Sequence, residues 1–460
     1  MLIKANWFFY LFIITVILTL NLQCATGGSQ QIKEMPATES PFESISTFLL
    51  MGEADKALKA YEEAFKTKPE DAETKLLYAR LLLFAGKIKE AEEVIDEILK
   101  SQPQNIEALY SKSLVKGIRG EVKTQQELLE QIVALDNTYT DAVAALGALY
   151  LYNKDFKKAE TLFAQVITRD DKNLVALLGM GNIRLQDKKY QDALKFIDKA
   201  ISIEPDYPFS YLDRAKAKLF LKNVDGALAD LNKAIELDPE YYYSYFDRGK
   251  LLLNKGERER ALQDFTAAIR LDPENFCAYV FRGGIYEEKG MIDEAIQDYE
   301  KVITLKPSYY FAYSSLALHY YLKARFGEAA DMFNKAYEYE QENYSDILLT
   351  ALALKKSGNE KKAGEYLKSK VKLIPRDSWE YQMARYFLTQ ENENTLLTLI
   401  KDEKNPRIRS QILFYLGAQY LLKNKKQVAV TFLQEAADAE ARGYAEKRLA
   451  QYELDNCQAN

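Results

Sequence analysis

Tyr211–Pro239 reads YLDRAKAKLFLKNVDGALADLNKAIELDP, Tyr245–Pro273 reads YFDRGKLLLNKGERERALQDFTAAIRLDP, and Tyr279–Pro307 reads YVFRGGIYEEKGMIDEAIQDYEKVITLKP. Each copy starts 34 residues after the one before it, and the same pattern runs without insertion or deletion from Thr38 to Asp377. Self-similarity at this period is the signature of a solenoid, in which each repeat buries its apolar stripe against its neighbours. Ten repeats result, opening at Thr38, Ala72, Ile106, Thr140, Leu174, Pro208, Tyr242, Phe276, Tyr310 and Tyr344.

Four columns define the repeat. Position 20 is alanine in nine of ten repeats, with Gln125 the exception, and position 8 is small in nine, among them Gly147, Gly181, Gly249 and Gly283. Position 24 is large and apolar throughout, as at Phe163, Phe265, Tyr299 and Phe333. Position 32 is proline in seven repeats. Small residues at 8 and 20 let two helices approach, and the bulky residue at 24 fills the space beside them. Proline near the end stops the second helix, because it cannot continue the hydrogen-bond ladder. These columns resemble the tetratricopeptide repeat, with Leu146–Tyr150 (LGALY) followed by Lys158–Phe163 (KAETLF) among the best matches. The resemblance implies an all-α, right-handed superhelical solenoid of antiparallel helix pairs, about twelve in total.

Outside residues 38–377, residues 378–409 are expected to form a divergent helix pair closed by Pro406, and residues 410–443 a further repeat. Tyr444–Leu454, within a tail running to residue 460, fits a helix that covers the last repeat's apolar face. At the other end, Met1–Gln23 carries one charge, Lys4, and an apolar run from Trp7 to Leu20. The run is shorter than the ~20 residues a membrane-spanning helix needs and suits a signal peptide. Cys24 follows at once, then a small and polar linker (residues 24–37). This arrangement resembles the lipidation site of a bacterial lipoprotein, although Leu22 and Gln23 depart from the usual box. Lipidation at Cys24 is the expectation; cleavage at Ala25-Thr26-Gly27 and an uncleaved anchor stand as alternatives.

The remaining chemistry is sparse. His319 is the single histidine, so a two-histidine zinc motif cannot form, and no cysteine pair among Cys24, Cys277 and Cys457 has metal spacing. No glycine-rich phosphate loop occurs; Arg282-Gly283-Gly284 sits in a helix-packing register. With a net charge of −6 there is no general reason to expect nucleic acid. The reading is a non-enzyme without cofactor or metal.

Position 2 is acidic in the first four repeats (Glu39, Glu73, Glu107, Asp141), then apolar or aromatic at Val175, Phe209, Tyr243, Cys277 and Phe311. The resemblance places positions 2, 5, 9, 12 and 13 on the concave groove, which makes Phe209, Phe220, Tyr243, Phe246, Phe311 and Tyr321 the candidate partner-binding residues. The acids have a simpler explanation as favourable charge at helix N-termini. Position 5 holds no lysine in any of the ten repeats, so the carboxylate clamp used by some family members is missing. Three central repeats carry Arg214, Arg248 and Arg282 at position 7, with Asp230, Asp264 and Asp298 at position 23. Since both columns are apolar in most neighbours, each Arg is expected to pair with the Asp of its own repeat. Lys355, Lys356 and the lysines up to Lys372 read as a solvated face. The functional expectation is an envelope lipoprotein that holds protein or peptide partners in its groove. A small-molecule-binding accessory subunit and a eukaryotic adaptor are the alternatives.

Overall fold

The computed structural model describes residues 41–65, 71–440 and 444–459. The signal segment, Cys24, the linker and Glu39 lie outside the described residues. Among those residues every regular element is helical, and the helices come in tandem pairs. The chain divides into two compact halves that meet in sequence at Asp238 and Pro239.

Within each half the repeat length fixes the element lengths. Positions 1–13 form the first helix, as in Leu174–Gln186 and Phe276–Glu288, and positions 17–30 form the second, as in Tyr190–Ile203 and Ile292–Leu305. A three-residue turn joins them, short enough to make the two helices antiparallel neighbours. At position 15 of that turn the backbone is left-handed: Gly86, Gly120, Gly256, Gly290 and Gly358 occupy it, and so do Lys154, Lys188, Lys222 and Ala324. The next residue's N–H then closes back on the helix end, as when Lys189 donates to the Arg184 carbonyl and Arg325 to the Tyr320 carbonyl, both at 2.8 Å. Position 34 starts the following helix; Asp71, Asn105, Asn173 and Asn275 each accept a backbone N–H three residues on.

The core follows the columns. All nine position-20 alanines are fully buried. Phe163 is gripped between two glycines: a Cβ on Gly147 would lie 2.8 Å from its ring, and one on Gly179 of the next repeat 2.3 Å. At Gln125, where the alanine column breaks, room comes from Gly117, whose missing Cβ would fall 2.6 Å from the amide nitrogen.

Two boundaries differ from the sequence expectation. Pro406 does not close the divergent pair; it opens the long helix Pro406–Leu422, with Asn405 accepting the Arg407 N–H at 3.0 Å. Proline suits the first turn of a helix, where its missing N–H has no partner to lose. The last helix, Ala445–Ala459, runs past the expected end at Leu454; it packs on Pro406–Leu422 and Lys426–Asp438, and it also reaches back to helix Phe311–Leu322.

Candidate functional site

The Arg–Asp columns meet within single repeats. Arg214 lies 2.7 Å (Nη2) and 3.0 Å (Nε) from the two carboxylate oxygens of Asp230. Arg248 stands 2.7 and 2.8 Å from Asp264, and Arg282 stands 2.6 and 2.9 Å from Asp298. All three are side-on bidentate pairs with buried carboxylates. Each Arg also lies over the tyrosine three residues before it, Tyr211, Tyr245 or Tyr279, at 5.2–5.7 Å from the ring centroid. Hydrogen bonding to Asp264 holds the Arg248 guanidinium above its usual range. These side chains are committed to one another and hold the helix pairs together.

In the N-terminal half the acidic column is partly internal. Glu107 pairs with Arg80 of the preceding repeat, whose side chain is buried. Asp141 is pushed up to about 6, first by burial and then by Glu107 and Asp170, with Arg80 pulling the other way.

The six candidate groove aromatics separate sharply. Tyr321 is fully buried, and its hydroxyl donates to Glu453 at 2.7 Å. Phe209 is buried beside Tyr207. Phe246 is also buried, packed edge-on against Phe265 and Phe281, which stack with centroids 5.2 Å apart. Phe209 and Phe246 belong to the core, because position 2 or 5 can turn inward wherever a neighbouring repeat offers an apolar wall, whereas Tyr321, at position 12, is buried beneath the last helix. Phe220 is 56% exposed and stacks on Tyr190 at 4.6 Å. Phe311 is 58% exposed, and Tyr243 is half-buried.

Around Phe311 and Tyr243 the C-terminal half gathers more rings than the groove columns indicate. Tyr310 lies 4.2 Å from Phe311, Tyr309 lies 5.8 Å from it, and Phe276 of the preceding repeat lies 5.7 Å from Tyr309. Tyr241, Tyr242 and Tyr243 form the matching cluster two repeats earlier, with Tyr242 and Tyr243 4.3 Å apart. Cys277 stands between the clusters, close enough that its charge would raise both Tyr243 and Tyr309; burial pushes its own thiol up, which keeps it protonated. The result is a partly exposed aromatic row at the N-terminal ends of three successive first helices. Positions 34 and 1 contribute to it, and the runs YYY and YYF were its signal in the sequence. Scattered surface aromatics are ordinary, whereas these gather on three successive repeats.

The far end of the same stripe is covered. Arg448 pairs with Glu287 (position 12), and Tyr321 (position 12) and Lys356 (position 13) both bond Glu453. Lys356 therefore does not belong to a solvated face, and neither does Lys355, a buried side chain paired with Glu360. No sequence signal announced these contacts, since the partners are 97 to 161 residues apart. His319 is fully buried, its Nδ1 2.6 Å from the Ser315 carbonyl, and burial lowers its pKa. It serves as a neutral packing group. Among the described residues no cluster of three His, Cys, Asp or Glu could hold a metal, and no helix is long and apolar enough to cross a membrane.

Models of the tetratricopeptide repeat match residues 48–113, 150–219, 212–275 and 246–310. No curated protein sequence matches the chain significantly. Among solved structures, a tetratricopeptide repeat protein from Parabacteroides merdae is 20% identical, covering 53% of this chain and 96% of its own, with a TM-score of 0.40. PilF from Pseudomonas aeruginosa is 20% identical over 47% of this chain and 97% of its own, at 0.36. YrrB, described as having an unusual peptide-binding site, is 19% identical over 40% of this chain and 95% of its own, also at 0.36.

Proposed function

We propose that this chain, which belongs to the tetratricopeptide repeat family, is a non-enzymatic scaffold of the cell envelope that grips partner polypeptides along its aromatic row. Proteins of this family bind peptide or protein partners, and the family places the stripe of positions 2, 5, 9, 12 and 13 on the concave face. The observation that carries the reading is the cluster of exposed Phe311 with the half-buried Tyr309, Tyr310 and Phe276. Rigid aromatic side chains supply large contact area at small entropic cost, which is why they dominate binding hot spots. The envelope location rests on Lys4, the Trp7–Leu20 run and Cys24, read as a lipoprotein signal.

Phe311→Ala combined with Tyr310→Ala tests the grip. Both rings lie outside the core, so the thermal midpoint should stay within a few degrees of wild type. Co-purification of a defined polypeptide with the full chain from solubilised membranes should fall at least tenfold. Undiminished co-purification would overturn the reading.

A further inference from the structure

We infer that helix Ala445–Ala459 is an exchangeable internal ligand, and that the site it fills on repeats 8 to 10 and helix Pro406–Leu422 takes a partner's amphipathic helix bearing two carboxylates seven residues apart. The inference rests on the reading above that the stripe binds polypeptide, and it names a second site at the opposite end of that stripe.

The receiving surface is built from equivalent positions. Glu287, Tyr321 and Lys356 come from three successive first helices, at positions 12, 12 and 13, and all three touch the last helix. Next to them Gln411 donates to Glu446 Oε1 at 3.0 Å, and the Tyr415 hydroxyl lies 3.1 Å from the same oxygen. The site thus offers two sets of donors, Tyr321 with Lys356 and Gln411 with Tyr415, each receiving one buried carboxylate. Glu446 and Glu453 are two helical turns apart, so one face of a single helix presents both, about 10 Å from each other. Arg448 on the same helix answers Glu287, and Tyr452 meets the Tyr321 ring edge-on with centroids 6.0 Å apart.

The composition of this helix separates it from a core element. Its deeply buried apolar side chains are Leu449, Ala450 and Leu454, comparable to Ala429, Leu433, Ala436 and Ala437 in its neighbour Lys426–Asp438, but it also buries two carboxylates, Glu446 and Glu453, where that neighbour buries none. Beside these apolar contacts it is held by polar and charged pairs at Glu446, Arg448 and Glu453, whose groups water can solvate when it leaves. Asp346, buried on the receiving side, lies near Glu446 and keeps its proton beside the docked acid. Docking at Glu453 is favoured by the charge of Lys356, whereas docking at Glu446 goes with a protonated Asp346. The aromatic row at position 2 remains open while this helix is in place.

A fluorescent peptide spanning Ala445–Ala459 provides the test, titrated into the full chain by anisotropy. Against a variant carrying Glu446→Lys and Glu453→Lys, whose own helix no longer fits the donor sets, the peptide should bind at least tenfold more tightly than to wild type. Adding Lys356→Glu to that variant should abolish the gain. Equal binding to wild type and to the double variant, with unchanged far-ultraviolet helicity, would overturn the proposal. So would equal binding of a scrambled peptide. Amide exchange on the unmodified protein gives an independent reading: amides of 445–459 should exchange at least tenfold faster than those of Pro406–Leu422. Exchange in step with that helix would make the last helix a permanent part of the fold and overturn the proposal. Loss of the aromatic grip with retained peptide binding, or the reverse, distinguishes failure of one site from failure of the other.

Discussion

At the residue scale the sequence displays what repeats and conceals what is local. The columns at positions 8, 20 and 24 and the Arg–Asp columns at 7 and 23 are visible because several copies state the same requirement. The left-handed turn at position 15 is stated less openly. Glycine marks it at Gly86, Gly120, Gly256, Gly290 and Gly358, but Lys154, Lys188, Lys222 and Ala324 adopt the same conformation. An L-residue pays roughly 1–2 kcal/mol there, and a side chain with no local hydrogen bond to offer gains nothing in return. A Cβ at the glycine-bearing turns would meet nothing within 4 Å, so backbone conformation, and not crowding, favours glycine. Ala324, exposed and left-handed, is the clearest case. Ala324→Gly should raise stability by about 1 kcal/mol in urea unfolding. A destabilised variant would show that the turn is held by something other than this backbone preference.

Individual elements were harder to read than columns. Helix existence and length followed from the period, but the faces of Phe209, Phe246 and Tyr321 did not. A groove position and a core position differ only in what the neighbouring repeat presents, and one chain's columns do not state that. The start of helix Pro406–Leu422 was obscured because proline both ends and begins helices. Helix Ser345–Lys356 carries a second hidden feature, Asp346. Burial, then Glu446 and Glu340, push its carboxyl up to about 8 against the pull of the Asn343 amide, which donates at 3.0 Å. Tyr366 and Tyr415 are the other titratable groups near it. In the unfolded chain the same group ionises near pH 4. Between about pH 4 and 8 the native state therefore keeps a proton that the unfolded state has lost, so this contribution to stability falls as pH rises through that window. Urea midpoints should be lower at pH 8 than at pH 5, and Asp346→Asn should flatten the difference. An equal slope in the variant would contradict the assignment.

For the whole molecule, the family and its repeat register were legible throughout residues 38–377, and a last helix after Tyr444 was expected, but where that helix docks was not legible. Contacts of the last helix join residues about a hundred or more apart, which no periodicity encodes. The proposed anchor lies outside the described residues and rests on sequence alone. Intact mass of the protein from a membrane fraction should show loss of Met1–Gln23 and added acyl chains, both missing in Cys24→Ser; an unmodified N-terminus would contradict the anchor. The central claim concerns the aromatic row, and it is tested most directly by placing a photo-cross-linking amino acid at Phe311 in the full-length protein in its own cells. The account predicts a discrete adduct with one defined polypeptide, missing when the same probe replaces exposed Lys301 on a second helix. No adduct at position 311, or the same adducts from both positions, would contradict it.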